Sequence, residues 1–168
     1  VISEPRSLIS SATPTNVNCF GGATGSIELT VNGGTSPYTY LWSDGVTTQN
    51  RASIIAGNYR VTVTDNKLCT SVAIAAVTQP TALTTQGTAV NVRCNGESNG
   101  TIDFNAFGGS IPYTYLWSDG NTAKDRTGLA VGIYTITVTD NKACTSSASF
   151  SINQPAVLSV NAIPVNTT

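Results

Sequence analysis

The chain has 168 residues with 8 basic and 9 acidic side chains, four cysteines, and neither histidine nor methionine. Such sparse, unclustered charge excludes the basic surface that nucleic acid or an anionic membrane requires, and no apolar run approaches the roughly 20 residues of a membrane-spanning helix. Without histidine, a Ser-His-Asp or Cys-His catalytic arrangement is impossible.

The first quarter of the chain predicts two strands. Residues 9–18 alternate weakly between apolar and polar side chains, and residues 20–25 form a glycine-rich turn. Residues 27–31 alternate strictly, with Ile, Leu and Val against Glu and Thr, which is the two-residue period of a half-buried strand. The Gly-Gly pair at residues 33–34 ends this second strand.

The third strand carries the aromatic side chains. Residues 37–45 read PYTYLWSDG. Tyr38, Tyr40 and Trp42 share one face of the strand because strand side chains alternate, and the Ser-Asp-Gly sequence that follows predicts a tight turn. Residues 46–56 are less regular and predict a short edge strand.

Two further strands complete the series. Residues 57–64 alternate cleanly, with Tyr59, Val61 and Val63 on one face. The turn at residues 65–67 leads into a last strand over about residues 68–78, which a Gln-Pro pair ends.

The second half of the chain repeats the first at a constant shift in residue number. PYTYLWSDG returns unchanged at residues 112–120, and residues 9–83 (repeat 1) match residues 84–158 (repeat 2) at 35 of 75 positions without a gap. Residues 1–8 resemble the end of a preceding repeat, and residues 159–168 the start of a following repeat or a linker. We therefore expect this sequence to be a segment of a longer array of repeats.

The fold class follows from the strand series. No segment shows a sustained helical period, and each repeat offers six or seven short strands separated by turn signals. The prediction is an all-β chain of two tandem immunoglobulin-like β-sandwich modules in an elongated array. A Trp on the third strand and a Tyr at the start of the penultimate one favour this pattern.

The four cysteines occupy the same two positions in each repeat, so the spacing within a repeat is identical in both. Among the three connectivities, we expect Cys19–Cys69 and Cys94–Cys144, each stabilising one module by roughly 3–4 kcal/mol. A Cys69–Cys94 bond that ties one module to the next, or free buried thiols, are the alternatives. Zinc is disfavoured because a site would need all four widely spaced cysteines.

Three motifs in fixed order carry a resemblance to a known family. They are Cys-x-Gly-x-x-x-Gly-x-Ile, Gly-Gly-x-x-Pro-Tyr-Thr-Tyr-x-Trp-Ser-x-Gly, and Gly-x-Tyr-x-Val-Thr-Val-Thr-Asp-x-x-x-Cys followed by Gln-Pro. This order resembles the SprB repeat, found in very large surface adhesins of Bacteroidetes, including a gliding-motility adhesin. The pattern runs over residues 19–80 and again over residues 94–155. The resemblance implies type IX secretion, a cell-surface location, a filamentous adhesin and no catalytic residues.

The aromatic strand is the candidate binding site. A row of exposed rings could stack on sugar rings, which would give a glycan-binding face. The candidates are Tyr38, Tyr40, Trp42, Tyr113, Tyr115 and Trp117. The competing interpretation, which we favour for the two tryptophans, places these rings in the core.

Neither catalysis nor a metal or other cofactor is expected. Most acidic residues are duplicated turn residues, such as Asp44 with Asp119, whereas a glycosidase needs two carboxylates across a cleft. Asp65 and Asp140 supply one carboxylate each, against the 6–8 oxygens that Ca²⁺ takes, so turn formation is the favoured role.

The sequence thus predicts a structural and adhesive repeat segment of a secreted cell-surface adhesin that extends the molecule and presents adhesive surface. Its partners would be neighbouring repeats of the same chain, surface polysaccharides or other copies of itself, and not nucleic acid or the membrane interior. A glycan-binding module and a subunit of a self-assembling extracellular fibre are the alternatives.

Overall fold

The computed structural model describes residues 6–161, and every regular element within that range is a β-strand. The expected remnant at residues 1–8 and the tail at residues 159–168 lie largely outside the described residues. The all-β prediction is confirmed.

Each repeat contains six strands at equivalent positions. Repeat 1 contains β1 Ile9–Thr15, β2 Gly25–Asn32, β3 Thr39–Trp42, β4 Arg51–Ile54, β5 Gly57–Thr64 and β6 Thr70–Val77. Repeat 2 contains β7 Thr84–Val90, β8 Gly100–Phe107, β9 Thr114–Trp117, β10 Arg126–Leu129, β11 Gly132–Thr139 and β12 Thr145–Ile152.

Each repeat is a sandwich of two three-stranded antiparallel sheets. The sheet orders are β1-β2-β4 and β3-β5-β6 in repeat 1, and the equivalent strands pair in the same way in repeat 2. These are the A-B-E and C-F-G sheets of an immunoglobulin-like sandwich without strand D. The predicted edge strand is β4, which pairs only with β2 among the described strands.

The core of repeat 1 lies between the two sheets. The side chains that face inward are those of the predicted alternation, and the largest fully buried ones are Trp42, Ile27 and Leu29. On β5 and β6 the apolar positions at every second residue are buried, because strand side chains alternate between the two faces of the sheet.

Repeat 2 keeps the same pattern with larger aromatic side chains. Phe104 is fully buried and contacts Trp117 and Phe150 edge-on, and Phe150 meets Trp117 at a tilt, with ring centroids 6.2–6.3 Å apart. The serines that alternate with the apolar residues of β12 face away from this core.

Different connecting segments lie at the two ends of each sandwich, and we name the ends the turn end and the loop end after these segments. At the turn end of repeat 1 lie the β5–β6 turn, residues 65–69, and the Gly33-Gly34 turn. At the loop end lie the β1–β2 loop, residues 16–24, and the residues that follow β6. Because β6 runs from the turn end to the loop end, these two sets of residues are separated by the whole length of the strand.

Glycine is required at the turn end because another backbone segment passes close by. Gly33 and Gly34 both have positive φ, and a Cβ on Gly33 would collide with the carbonyl of Ser7. The amide of Gly34 donates to the carbonyl of Arg6 at 2.8 Å. Arg6 and Ser7, which precede β1, are therefore an integral part of the sandwich.

The chain divides into two compact units. The first comprises the residues up to Leu83 together with Gly108–Ser110 and Asn141–Cys144, and the second comprises the remainder from Thr84 onward.

Candidate functional site

The disulfide in the structure is not the one that the sequence analysis favoured. Cys19 is bonded to Cys144, with their Cα atoms 5.6 Å apart and a sequence separation of 125. Cys69 and Cys94 are free and exposed. The expected pairs Cys19–Cys69 and Cys94–Cys144 are therefore wrong, and so is the alternative Cys69–Cys94 bond.

The physical reason is the length of strand β6. Cys69 directly precedes this eight-residue strand, whereas the loop that carries Cys19 is bonded to its far end, where the Val17 amide donates to the Thr78 carbonyl at 2.9 Å. At about 3.3 Å per residue, the strand separates the two positions by roughly 25 Å. A disulfide needs Cα atoms within about 7 Å, so a bond inside one repeat cannot form.

The β1–β2 loop that carries Cys19 is fixed by hydrogen bonds to the segment after β6. The Gly21 amide donates to Oε1 of Gln79 at 2.7 Å, and the Gly22 amide donates to the Cys19 carbonyl at 3.0 Å. Gly21 has a φ of +72°, which a side chain would disfavour. The Gln-Pro pair therefore organises the cysteine loop as well as ending the repeat.

Asp65 organises the turn that carries Cys69. Its buried carboxylate accepts backbone hydrogen bonds from Thr35 at 2.8 Å, Lys67 at 2.9 Å and Cys69 at 2.8 Å. Burial acts to raise the pKa of Asp65, but the three backbone donors outweigh it and hold the pKa below its ordinary value of 3.8. The carboxylate thus joins the β5–β6 turn to the β2–β3 loop, which supports the turn-forming role over a calcium site.

The two tryptophans of the candidate glycan-binding strand are buried. Trp42 is 1% exposed and Trp117 is 2% exposed, and the indole Nε1 of each donates to a backbone carbonyl at 2.7 Å, that of Thr48 and of Ala123 respectively. A buried ring offers no face to a sugar, so these two residues belong to the core.

The tyrosines of the same strand are half-buried. Tyr38 and Tyr40 pack against the core of repeat 1, and the hydroxyl of Tyr38 donates to the Gly33 carbonyl at 2.6 Å. In repeat 2, Tyr113 and Tyr115 are also half-buried, and the Tyr115 ring meets Phe104 edge-on. Glycan binding by the tyrosines stays a prediction.

An arginine that the sequence analysis did not single out covers each tryptophan. The Arg51 guanidinium lies 5.4 Å from the ring centroid of Trp42 and 5.5 Å from that of Tyr59, and it donates to both carboxylate oxygens of Asp44 at 2.7 and 2.9 Å. This ion pair lowers the pKa of Asp44. Arg126 makes the same contacts in repeat 2. The presence of an Arg at the same position of both repeats is the feature of the sequence from which this role could have been predicted.

Neither a metal cluster nor a membrane helix occurs in the described part of the chain. Residues 6–161 contain no group of three or more Cys, Asp or Glu side chains placed to hold a metal ion. Over the same range, no helix has the length and apolar character that crossing a membrane requires.

The family model of the SprB repeat matches the chain twice, over residues 11–47 and residues 86–122. The two matches are 75 residues apart, and each begins within the first strand of its sandwich and ends just beyond the third strand. The two matched segments together comprise 74 of the 168 residues, and the chain is similar to the SprB repeat over them. The resemblance seen in the motifs is thereby confirmed.

Several solved structures are similar to the chain at low identity. The amphioxus IgVJ-C2 molecule is 14% identical, with 86% of this chain and 97% of that chain covered and a TM-score of 0.36. Domains 1–6 of the surface layer protein SbsC are 15% identical, with 92% and 28% covered and a TM-score of 0.35. A tetra-tandem repeat from the extending region of a large adhesion protein is 16% identical, with 88% and 49% covered and a TM-score of 0.28. No curated protein sequence matched the chain.

Proposed function

We propose that the two SprB repeats form a structural segment of a cell-surface adhesin, which extends the adhesin from the cell and carries tension along it. The observation that carries this proposal is the Cys19–Cys144 disulfide, because it joins the first loop of one repeat to the last turn of the next. Such a bond gives tension a covalent route that bypasses all of the polypeptide between the two cysteines.

The effect of the bond on a stretched chain can be derived from its position. Residues 1–18 precede Cys19 and residues 145–168 follow Cys144, so only a quarter of the chain lies outside the closed loop. Tension applied at the two termini passes through the sulfur atoms and cannot extend the enclosed residues. Of the twelve strands in the described range, only the first and the last, β1 and β12, lie outside the loop.

Single-molecule pulling of the chain from its termini tests this role. At roughly 3.5 Å per residue, the oxidised chain can release at most about 150 Å of extended polypeptide, whereas the reduced chain can release about 590 Å. We expect short extensions without reductant and long ones with dithiothreitol. Equal extensions in both conditions would contradict the proposed role.

The surface location that we propose has a separate test. Antibodies raised against the two repeats should label intact source cells without permeabilisation, because an adhesin segment lies outside the outer membrane. Labelling that appears only after permeabilisation would contradict the adhesin proposal and would leave the mechanical property of the chain untouched.

A further inference from the structure

The position of the disulfide defines a pairing rule between repeats. Cys94 and Cys144 occupy the positions in repeat 2 that Cys19 and Cys69 occupy in repeat 1, so the bonded pair consists of the loop cysteine of repeat 1 and the turn cysteine of repeat 2. The two cysteines that stay free are the turn cysteine of repeat 1, Cys69, and the loop cysteine of repeat 2, Cys94. Each free cysteine is therefore one half of the kind of pair that Cys19 and Cys144 complete.

The free turn cysteine is held in the same backbone geometry as its bonded counterpart. Both turns place the residue before the cysteine at positive φ, +66° at Leu68 and +63° at Ala143. In both turns the residue after the buried Asp donates its amide to the β2–β3 or β8–β9 loop, Asn66 to Thr35 at 2.9 Å and Asn141 to Ser110 at 2.8 Å. Cys69 is thus presented as Cys144 is, without a change in the turn.

The loop that carries the free cysteine Cys94 is held by the same kind of hydrogen bond as the loop that carries Cys19. The Gly96 amide donates to Oε1 of Gln154 at 2.9 Å, as the Gly21 amide does to Gln79 at the bonded position. Gly96 also has a positive φ, +82°. The loop around Cys94 therefore repeats the fixed loop around Cys19.

Exposure of the residues after each Gln-Pro pair differs between the two repeats. Ala82 and Leu83, which follow the first pair, are half-buried. Their counterparts Val157 and Leu158 are 70% and 91% exposed. The apolar residues after the first Gln-Pro pair are thus partly covered, whereas the apolar residues after the second pair are exposed.

A groove lies beside each free cysteine. The groove beside Cys94 has a volume of about 450 Å³, and Arg93, Pro155, Val157 and Leu158 contribute to its lining. A smaller one of about 110 Å³ lies beside Cys69, between the segment before β1 and the Asp65 turn. Both features are concave surfaces next to an exposed thiol.

We propose that Cys69 and Cys94 are the two open halves of an inter-repeat disulfide that other SprB repeats complete. Cys94 bonds to the turn cysteine of a repeat docked after it, and Cys69 bonds to the loop cysteine of a repeat docked before it. The apolar residues after the second Gln-Pro pair are then covered as Ala82 and Leu83 are. The same rule, applied at every junction, closes overlapping disulfide loops along an array.

Formation of this bond requires an oxidant, which a small-molecule disulfide such as oxidised glutathione supplies. The Cys94 thiol loses its proton and attacks one glutathione sulfur, which forms a mixed disulfide and releases one glutathione thiolate. The thiolate of the turn cysteine on the repeat docked after Cys94 then attacks the Cys94 sulfur, which forms the protein disulfide and releases the second glutathione thiolate. Two thiols are oxidised and one glutathione disulfide is reduced, so the electrons balance.

Separate copies of the chain can supply both cysteines of the proposed bond, Cys94 from one copy and Cys69 from another. Two single variants distinguish this specific bond from random disulfide formation between exposed thiols. Cys69→Ser retains only the Cys94 thiol and Cys94→Ser retains only the Cys69 thiol, since both exposed positions tolerate serine. In a glutathione redox buffer, we expect a mixture of the two variants to form at least tenfold more disulfide-linked dimer than either variant alone, and peptide mapping to find Cys69 joined to Cys94. Equal and measurable dimer yields in the mixture and in the separate variants would overturn the proposal.

A three-repeat chain decides the case in which no sample forms dimers. A second copy of residues 84–158 is inserted after Leu158, which places a new turn cysteine one repeat beyond Cys94. We expect peptide mapping to find Cys94 bonded to that new turn cysteine, with Cys69 and the new loop cysteine free. A free Cys94, or a bond inside the inserted copy, would overturn the proposal.

This inference concerns the chemistry of the repeat ends and does not depend on adhesion. Absence of surface labelling would remove the adhesin role and leave the pairing rule standing. Failure of the thiol mapping would remove the pairing rule for further repeats and leave the adhesin role standing.

Discussion

The two repeats hold different cores in the same frame of strands. Repeat 1 places Leu29 and Ala75 where repeat 2 places Phe104 and Phe150, and the facing position changes from Ala12 to glycine, Gly87. A Cβ on that glycine would lie 2.7 Å from the Phe150 ring. The loss of one methyl group on the first strand therefore makes room for the Phe150 ring, although the three positions together hold more side-chain volume in repeat 2 than in repeat 1.

The same comparison applies to the cysteines. Cys144 and Cys69 occupy equivalent turns, yet one is bonded and half-buried and the other is free and exposed. The position of a cysteine within its repeat therefore does not determine whether that cysteine is bonded, because the disulfide needs a partner cysteine from a neighbouring repeat. Substitutions in one repeat, set against the equivalent position of the other, test both halves of this comparison.

The largest effect is expected from removal of the disulfide. Cys144→Ser opens a loop whose ends are 125 positions apart in the sequence. The chain-entropy model gives a loss of about 4–5 kcal/mol for a loop of this size. Urea unfolding of the oxidised protein measures this loss, and Cys69→Ser, at the equivalent free position, should change the unfolding free energy by less than about 0.5 kcal/mol. Equal effects of the two variants would show that the bond does not distinguish the repeats.

The next effect is expected in the aromatic core of repeat 2. Phe150 contacts the rings of Phe104 and Trp117. Phe150→Ala leaves a cavity and should cost about 3 kcal/mol, at the lower end of the range for buried Phe because the side chain is only half-buried. The measurement is the urea midpoint, and a loss below about 1 kcal/mol would indicate that the core collapses onto the smaller side chain.

The reverse substitution in repeat 1 tests whether the facing position controls the volume. Ala75→Phe overpacks a core in which Ala12 occupies the space that glycine leaves open in repeat 2, so we expect a loss of about 1–3 kcal/mol in the free energy of unfolding, measured in urea. Adding Ala12→Gly should recover part of this loss. A double variant no more stable than the single one would show that the two positions are not coupled.

The smallest effect is a pH dependence at the turn end of repeat 1. Since the folded pKa of Asp65 lies below its ordinary value of 3.8, the unfolded chain binds a proton first as the pH falls. The stabilising contribution of the carboxylate is complete above about pH 4 and is lost as the pH falls from there through the folded pKa. Thermal unfolding from neutral to strongly acidic pH should show this decline, and Asp65→Asn should show a shallower one. Identical slopes would exclude Asp65 as a source of the pH dependence.

Most of the fold could be predicted from the sequence because strand periodicity acts locally. Alternation over residues 27–31 and 57–64 indicated the buried face correctly, and the Gly-Gly and Ser-Asp-Gly signals indicated the turns. In β12, exposed serines alternate with the apolar residues, so the inward face of that strand can be identified from its sequence.

The disulfide could not be predicted in this way because its geometry depends on which end of the sandwich each cysteine occupies. The equal spacing of the cysteines within each repeat favoured one bond inside each module, whereas strand order places the two positions at opposite ends. The role of Arg51 was missed for a related reason, since its partners Trp42 and Asp44 lie on another sheet or in a turn.

Non-reducing peptide mapping of the four cysteines tests the central claim most directly. The purified, oxidised chain should yield one disulfide-linked peptide pair containing Cys19 and Cys144, and alkylated peptides containing Cys69 and Cys94. Recovery of Cys19 joined to Cys69 and of Cys94 joined to Cys144 would contradict the claim that consecutive repeats are joined covalently.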